Sequence, residues 1–385
     1  MGRRQGRNGR RSTLGSPVST FEFTDDHEAL RATVRSYAEQ VFPEAEVRRL
    51  MAASSTLERP VWERMARELG LQGLVVPEDL GGAGAGLVEL AIVLEEFGRR
   101  LVPAPFLSTA LATLALLEGD RSVAADLLSR IAEGSLVATV ALAEDGGAWD
   151  AAGVQCRAEQ GDGWRLTGTK SFVPDGAVAD LVVVVARGPE GVGLFAVDTA
   201  AEGVSRTELE VFDPTRRLAR IELRDVPATA LTPGDGEAAV GRWLDAARVA
   251  VAAEQVGGAD AALAMAVDYA KERVQFGRAI GSFQAVKHMC ADAFVDVESA
   301  RSAAYYAAWA VADGSPEVPT VAPLAKAFTS DTFLETARTS MQVHGGISFT
   351  YEFPAHLYFR RARSGAQLWG SPRSLRDLLA TRIGL

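Results

Sequence analysis

The chain is short of the residues that several simple functions would require. Its two cysteines, Cys156 and Cys290, are too few and too far apart for a disulfide framework, which points to a reducing compartment such as the cytoplasm. The four histidines (His27, His288, His344 and His356) show no paired spacing with cysteine or carboxylate that would suggest a metal site. An excess of basic charge is missing too. The formal net charge of −10 argues against nonspecific nucleic-acid binding. No apolar run approaches the roughly 20 residues that a membrane-spanning helix needs. Residues 1–20 carry five arginines and no acid. They lack the apolar segment of a secretory signal and are expected to form a disordered basic tail.

What remains is ordinary globular material, 48% hydrophobic and 23% charged over 385 residues, enough for two or three core-bearing modules. From Thr24 to Val41 the apolar residues Leu30, Val34, Tyr37 and Val41 recur at helical spacing, with Thr24 as a cap and Pro43 as a stop. Further helices are expected near 60–69, 87–99, 105–118 and 121–133. Short Val-, Leu- and Phe-rich segments separated by Gly and Asp turns follow at 136–143, 153–159, 164–170, 180–187, 192–198 and 217–224. They read as strands of a small antiparallel barrel or sandwich. Helical periodicity returns near 242–276, 282–313 and 320–343, the pattern of an antiparallel bundle, with Gly277 ending the first helix and Ser282 capping the second. The expected fold is α+β and mostly α. A basic tail (1–20) precedes a helical domain (21–135), a β domain (136–240) and a C-terminal four-helix bundle (241–385).

Two strings stand out: Arg273-Val-Gln-Phe276-Gly277-Arg-Ala-Ile280-Gly-Ser-Phe283-Gln284 and Gln342-Val343-His344-Gly345-Gly346. A guanidinium at a helix end, facing the free N–H groups that open the next helix, suits a pyrophosphate. Phe276 offers a flat face to an adenine, and paired glycines let backbone approach a ligand. Alone, Arg273 would be a solvated cation and Gly345-Gly346 a helix cap.

Together with Leu74-Val-Val-Pro77-Glu-Asp-Leu-Gly81-Gly82 and Gly168-Thr-Lys170, these strings resemble segments of the acyl-CoA dehydrogenase family over residues 22–385. The resemblance implies FAD as cofactor and an acyl-CoA substrate. Arg273, Phe276, Gln284 and Gln342, Val343, His344, Gly345 and Gly346 would then touch an FAD seated mainly in a neighbouring subunit. Leu244, Asp245 and Arg248 match positions lining the acyl-CoA tunnel.

The departures from the family pattern are specific. Its flavin loop, Thr-Glu-Pro-x-Ala-Gly-Ser-Asp, is here Ala143-Glu144-Asp145-Gly146-Gly147-Ala148-Trp149-Asp150. Trp-Ile-Thr-Asn-Gly becomes Phe172-Val-Pro174-Asp175-Gly176. Both positions where the family carries its catalytic glutamate are occupied by residues that cannot accept a proton, Trp369 and Ala247. No catalytic residue is therefore assigned.

Three readings follow. In the first, the chain is one subunit of a heterotetramer (α2β2) like those of actinobacterial steroid-CoA dehydrogenases. It would give the cross-boundary half of an FAD site to a sister subunit that desaturates a CoA thioester, with an electron-transfer flavoprotein as candidate acceptor. In the second it is a homo-oligomeric flavoenzyme using Glu254 or His344 as base, although Glu254 reads better as a core carboxylate and His344 as packing beside the dinucleotide. In the third it is a scaffold without chemistry. Arg216 and Arg217, in Asp213-Pro-Thr-Arg216-Arg217, read as a solvated turn or as a guide for CoA phosphates. Ala250, Ala252, Ala253, Gly257 and Gly258 read equally as an enlarged acyl cavity or as close helix packing.

Overall fold

The computed structural model describes residues 21–53, 55–232 and 236–385, so the expected basic tail lies outside the described residues. The N-terminal part holds six helices: α1 (Asp25–Val41), α2 (Glu44–Ala52), α3 (Arg59–Leu69), α4 (Leu87–Arg99), α5 (Phe106–Leu117) and α6 (Arg121–Ala132). Thr24 opens α1 with a capping box. Its hydroxyl accepts from the His27 N–H while the His27 ring accepts from the Thr24 N–H.

Seven strands follow: β1 (Ala138–Ala141), β2 (Arg157–Gln160), β3 (Trp164–Pro174), β4 (Leu181–Gly188), β5 (Gly191–Asp198), β6 (Val204–Glu208) and β7 (Leu218–Ala230). Pairings β4–β2, β2–β3, β3–β7, β7–β5 and β5–β4 close a ring, with β1 and β6 at its margin. The expected all-antiparallel sheet is corrected by β4, which runs parallel to both β1 and β2. The run Leu181-Val-Val-Val-Val-Ala186 is apolar throughout because β4 is covered on both faces. Val182, Val184 and Ala186 fill the barrel, whereas Leu181, Val183 and Val185 pack into the core shared with the helices.

The C-terminal part contains α7 (Gly236–Glu272), the hairpin β8 (Val274–Gln275) and β9 (Arg278–Ala279), then α8 (Gln284–Ala312), α9 (Val318–His344), α10 (Ala355–Gly365) and α11 (Pro372–Arg382). α7 is buried nearly all round in its middle, including Ala250, Ala252, Ala253, Gly257 and Gly258. A Cβ at Gly257 would overlap the carbonyl oxygen of Glu95, one at Gly98 that of Glu254, and one at Gly258 the ring of Phe333. These small residues serve helix contact, so the enlarged-cavity alternative loses its support.

The crossing also carries charge. Glu95 and Glu96 of α4 are fully buried, with Glu95 bonded to Arg31, Arg301 and Tyr305 and Glu96 to Arg35 and Arg99. Buried carboxylates require such partners, and removing one guanidinium would leave an uncompensated charge.

Candidate active site and cofactor surface

At one end of the bundle, α7 stops at Glu272 and the chain turns through the β8–β9 hairpin. Gly277 sits at φ +77° inside this hairpin and does not end the helix as expected. Phe276, also left-handed at φ +52°, is 92% exposed. Arg273 is exposed just beyond α7, and its carbonyl accepts from the Ile280 N–H at 2.8 Å. Gln284 is the first residue of α8. Phe283, and not Ser282, is its N-cap, and it offers no side-chain acceptor to the opening N–H groups.

α9 arrives at the same end. Gly345, at φ +63°, ends it, and a Cβ at Gly345 or Gly346 would meet nothing within 4 Å, so this backbone is open to a ligand. The Tyr269 and His344 rings, 4.4 Å apart, join the ends of α7 and α9. Arg273, Phe276, Gln284, Gln342, Gly345 and Gly346 therefore lie exposed at one end of the fold, with Phe349 and Tyr351 beside them. Val343 and His344 are buried. Val343 packs on Ala266 and Ala270. His344 Nδ1 donates to the Ser340 carbonyl at 2.6 Å, and burial holds the ring's pKa below its usual value. Tyr269 and Phe353 each pack on the ring at 4.4 Å, and it lines neither cleft around Trp149.

The second cluster lies between the barrel and the bundle. Trp369, 1% exposed, packs edge-on against Trp149 at 4.8 Å and Trp243 at 5.3 Å. Trp243 Nε1 donates to the Leu111 carbonyl at 2.9 Å. Ala247 is fully buried on α7. Two clefts flank the stack and share Gly147, Trp149 and Gln367 as walls. The larger, about 640 Å³, is lined by Trp149, Phe172, Phe212, Leu218, Arg363 and Leu368 among others, and no carboxylate lines it. The smaller, about 290 Å³, reaches Arg248 and has Asp150 as its single carboxylate. Trp149 stands between them.

Leu244, Asp245 and Arg248 are buried on the α7 face near this stack. Arg248 donates to Asp245 Oδ1 at 2.8 Å and to the Trp369 carbonyl at 3.2 Å, and Arg382 meets Asp245 at 3.0 Å. Two of the three substrate candidates are thus tied to each other, and Arg248 alone among them lines a cleft.

Glu254 is not free to act as a base. Both of its oxygens take Arg216 Nη2, and Oε1 also takes Arg361 Nη1 at 2.8 Å. The two guanidinium groups hold its pKa below the usual carboxylate range against the opposing effect of burial, which is the largest single influence. Asp213 completes the group by accepting from Arg361 Nε at 2.9 Å. Neither reading of Asp213–Arg217 survives: Asp213 and Arg216 are buried, and Arg217 binds the Ala53 carbonyl and Glu208. Sequence reasoning also passed over Lys326 and Asp175 as buried titratable groups. Burial pushes Lys326 down to about 7 and Asp175 up to about 6.

Models of the N-terminal, middle and C-terminal domains of acyl-CoA dehydrogenases match residues 24–135, 139–226 and 234–384. The chain is 35% identical to acyl-CoA dehydrogenase IpdE2 of Mycobacterium tuberculosis, covering 93% of this chain and 98% of that one. Among solved structures it is similar to a variant of the Tcur3481-Tcur3483 steroid ACAD (36% identity, TM-score 0.88, covering 94% of this chain and 98% of that one). It is also similar to the ChsE4-ChsE5 complex from Mycobacterium tuberculosis (27% identity, TM-score 0.86, covering 95% and 99%). The chain belongs to the acyl-CoA dehydrogenase family.

FAD is the cofactor of that family. The exposed end near Arg273 has the cation, the open backbone and the uncapped helix start that a dinucleotide's phosphates require. The cleft beside Trp149 departs from the family pattern quoted above: its walls present Trp149 and Phe172 and no carboxylate, and Pro174, at the end of β3, has neither a hydroxyl nor a backbone N–H to offer. Among the described residues no group of three or more His, Cys, Asp or Glu is placed to hold a metal, and no helix is long and apolar enough to cross a membrane.

Proposed function

We propose that this chain is the base-lacking subunit of a hetero-oligomeric acyl-CoA dehydrogenase and completes an FAD site whose flavin end and catalytic carboxylate belong to a sister chain. The observation that carries this reading is the contrast between the two clusters. The outward one is open and carries Arg273, whereas the inward one sets the Trp149, Trp369 and Trp243 stack between two clefts and places no carboxylate on the larger.

Arg273 would pair with the pyrophosphate, the α8 start with Gln284 would add N–H donors, Phe276 would cover the adenine, and Gln342, Gly345 and Gly346 would line the path by amide and backbone. Val343 and His344 would contribute backbone only, since their side chains are buried. When bound, the flavin accepts the β hydrogen of an acyl thioester as hydride while a carboxylate takes the α proton. Of those two parts this chain supplies neither.

The two heteromeric relatives support an α2β2 assembly with a sister subunit. A steroid side-chain CoA thioester as substrate rests on the same relatives. An electron-transfer flavoprotein as acceptor and a cytoplasmic location complete the proposal.

Co-expression tests it. The chain alone should purify without flavin, and the pair should hold one FAD per heterodimer. Flavin at one per chain in the lone protein would refute the reading in favour of a homo-oligomeric enzyme, and no flavin in any pairing would favour a scaffold.

A further inference from the structure

The larger cleft beside Trp149 has walls that no step of the proposed reaction uses. At about 640 Å³ it falls within the range of small-molecule sites, roughly 300–1,000 Å³. Three aromatic side chains from separate segments line it: Trp149 from the loop after β1, Phe172 from β3 and Phe212 from the loop before β7. Phe172 is placed there by the backbone. The pairing of β3 with β7 shifts register between Lys170 and Val173, and Phe172 takes φ +57° inside that irregularity. A bulge re-aims a side chain, and a left-handed residue other than glycine stores strain of the kind that collects at ligand sites. Phe172 is 37% exposed and Phe212 55% exposed, so among the described residues much of this ring surface is left uncovered.

The charge at this cleft has one sign. Arg363 lines it, and Arg360 lies one turn earlier on α10, its guanidinium 5.4 Å from the centre of the Phe212 ring. Among the described residues neither guanidinium has a hydrogen bond or an ion pair. No carboxylate lines the cleft, although the whole chain carries a net charge of −10. Carboxylates of the adjoining segments are engaged elsewhere: Glu208 with Arg217, Asp145 with Arg220 and Ser171, and Asp213 with Arg361. Ser364 and Gln367, also on the walls, add a hydroxyl and an amide. Flat ring faces stack on such aromatics, and a guanidinium can take an acid group bidentately.

We propose that this cleft binds a flat, ring-bearing acid, with its rings against Trp149, Phe172 and Phe212 and its anionic group on Arg363, supported by Arg360. The guest is held and not turned over, because no carboxylate lines the walls to take a proton. The inference rests on the reading that the flavin end lies in the sister chain, which leaves this cleft to another ligand.

The test uses the purified hetero-oligomer and, beside it, the lone full chain, with 1-pyrenesulfonate as probe and 1-hydroxypyrene as its neutral counterpart. The sulfonate should bind once per copy of this chain in both preparations and quench tryptophan fluorescence through Trp149. Arg363→Gln should raise its Kd about 10-fold, the loss of one charge-assisted hydrogen bond, and leave the weaker binding of 1-hydroxypyrene unchanged. Phe172→Ala should weaken both probes. Both side chains are exposed, so the two variants should fold. Unchanged sulfonate affinity in Arg363→Gln, equal affinity for the two probes, or no saturable binding overturns the proposal. Binding to the lone chain that disappears in the hetero-oligomer also overturns it, because the sister subunit then covers the cleft. Flavin content is measured in the same samples. Flavin held by the lone chain and released by the probe refutes the proposed function as well, since the cleft is then a flavin seat.

Discussion

The rings of Trp149 and Trp369 meet edge to face, 4.8 Å apart, one delivered by the loop after β1 and the other by the turn before α11. The contact joins the barrel to the bundle where the family pattern expects a hydroxyl on one side and a carboxylate on the other. Trp369 holds φ +60°, and its carbonyl accepts from Arg248 at 3.2 Å. The indole is thus seated by its backbone as well as by its neighbours.

Trp369→Glu alone is expected to leave the isolated chain without turnover. It restores a proton acceptor, but Trp149 still divides the two clefts and Pro174 still offers no donor. The change also opens a cavity among Trp149 and Trp243 and should cost about 3–5 kcal/mol of stability. Steady-state assay and thermal melting check both parts. Robust activity in this single variant would contradict the account.

Arg273→Ala should weaken FAD retention by the hetero-oligomer about 10- to 100-fold, the loss expected for one charge-assisted hydrogen bond. Arg273 is exposed, so the Tm of the chain should barely move. Flavin release during dialysis, measured by fluorescence, reads the first effect and differential scanning the second.

Glu254→Gln should destabilise the fold by about 3–5 kcal/mol, because Arg216 and Arg361 would remain buried without their shared carboxylate. The urea midpoint should fall accordingly. If Glu254 were instead a catalytic base, the variant would lose rate and keep its midpoint.

Asp175 gives a pH dependence of definite sign. Its folded pKa is raised from 3.8 to about 6 by burial, so its stabilising contribution is full below the unfolded value and is lost as pH rises through about 6. The loss is about 3 kcal/mol at most. Asp175→Asn keeps an acceptor for Ser108 and removes the titration. Its Tm relative to the parent should therefore be higher at pH 7.5 than at pH 4.

Much of the fold was legible because apolar periodicity reports which face is buried. The Thr24 cap, the strands around β4 and the long C-terminal helices all follow from it. The helices α2, α10 and α11 are only 9 to 11 residues long, so a spacing such as Val47, Leu50 and Met51 spans little more than one turn, and the exposed strand β6 has no buried face to show. Arg361 meets Asp213 across 148 residues, and local charge in Asp213–Arg217 looks the same whether solvated or buried. Gly257 illustrates a third limit: a small residue fits a cavity or a helix crossing equally well until its neighbour, here Glu95, is placed. The exposed end near Arg273 was legible as motifs, whereas the Trp149–Trp369–Trp243 stack needed three segments brought together in space.

The most direct test is a crystal structure of the chain bound to its sister subunit with FAD. The account predicts the adenine and pyrophosphate of the dinucleotide against Arg273, Gln284 and Gly345-Gly346 of this chain, with the isoalloxazine enclosed by the sister subunit. Isoalloxazine lodged beside Trp149, with a carboxylate of this same chain poised over it, would contradict it.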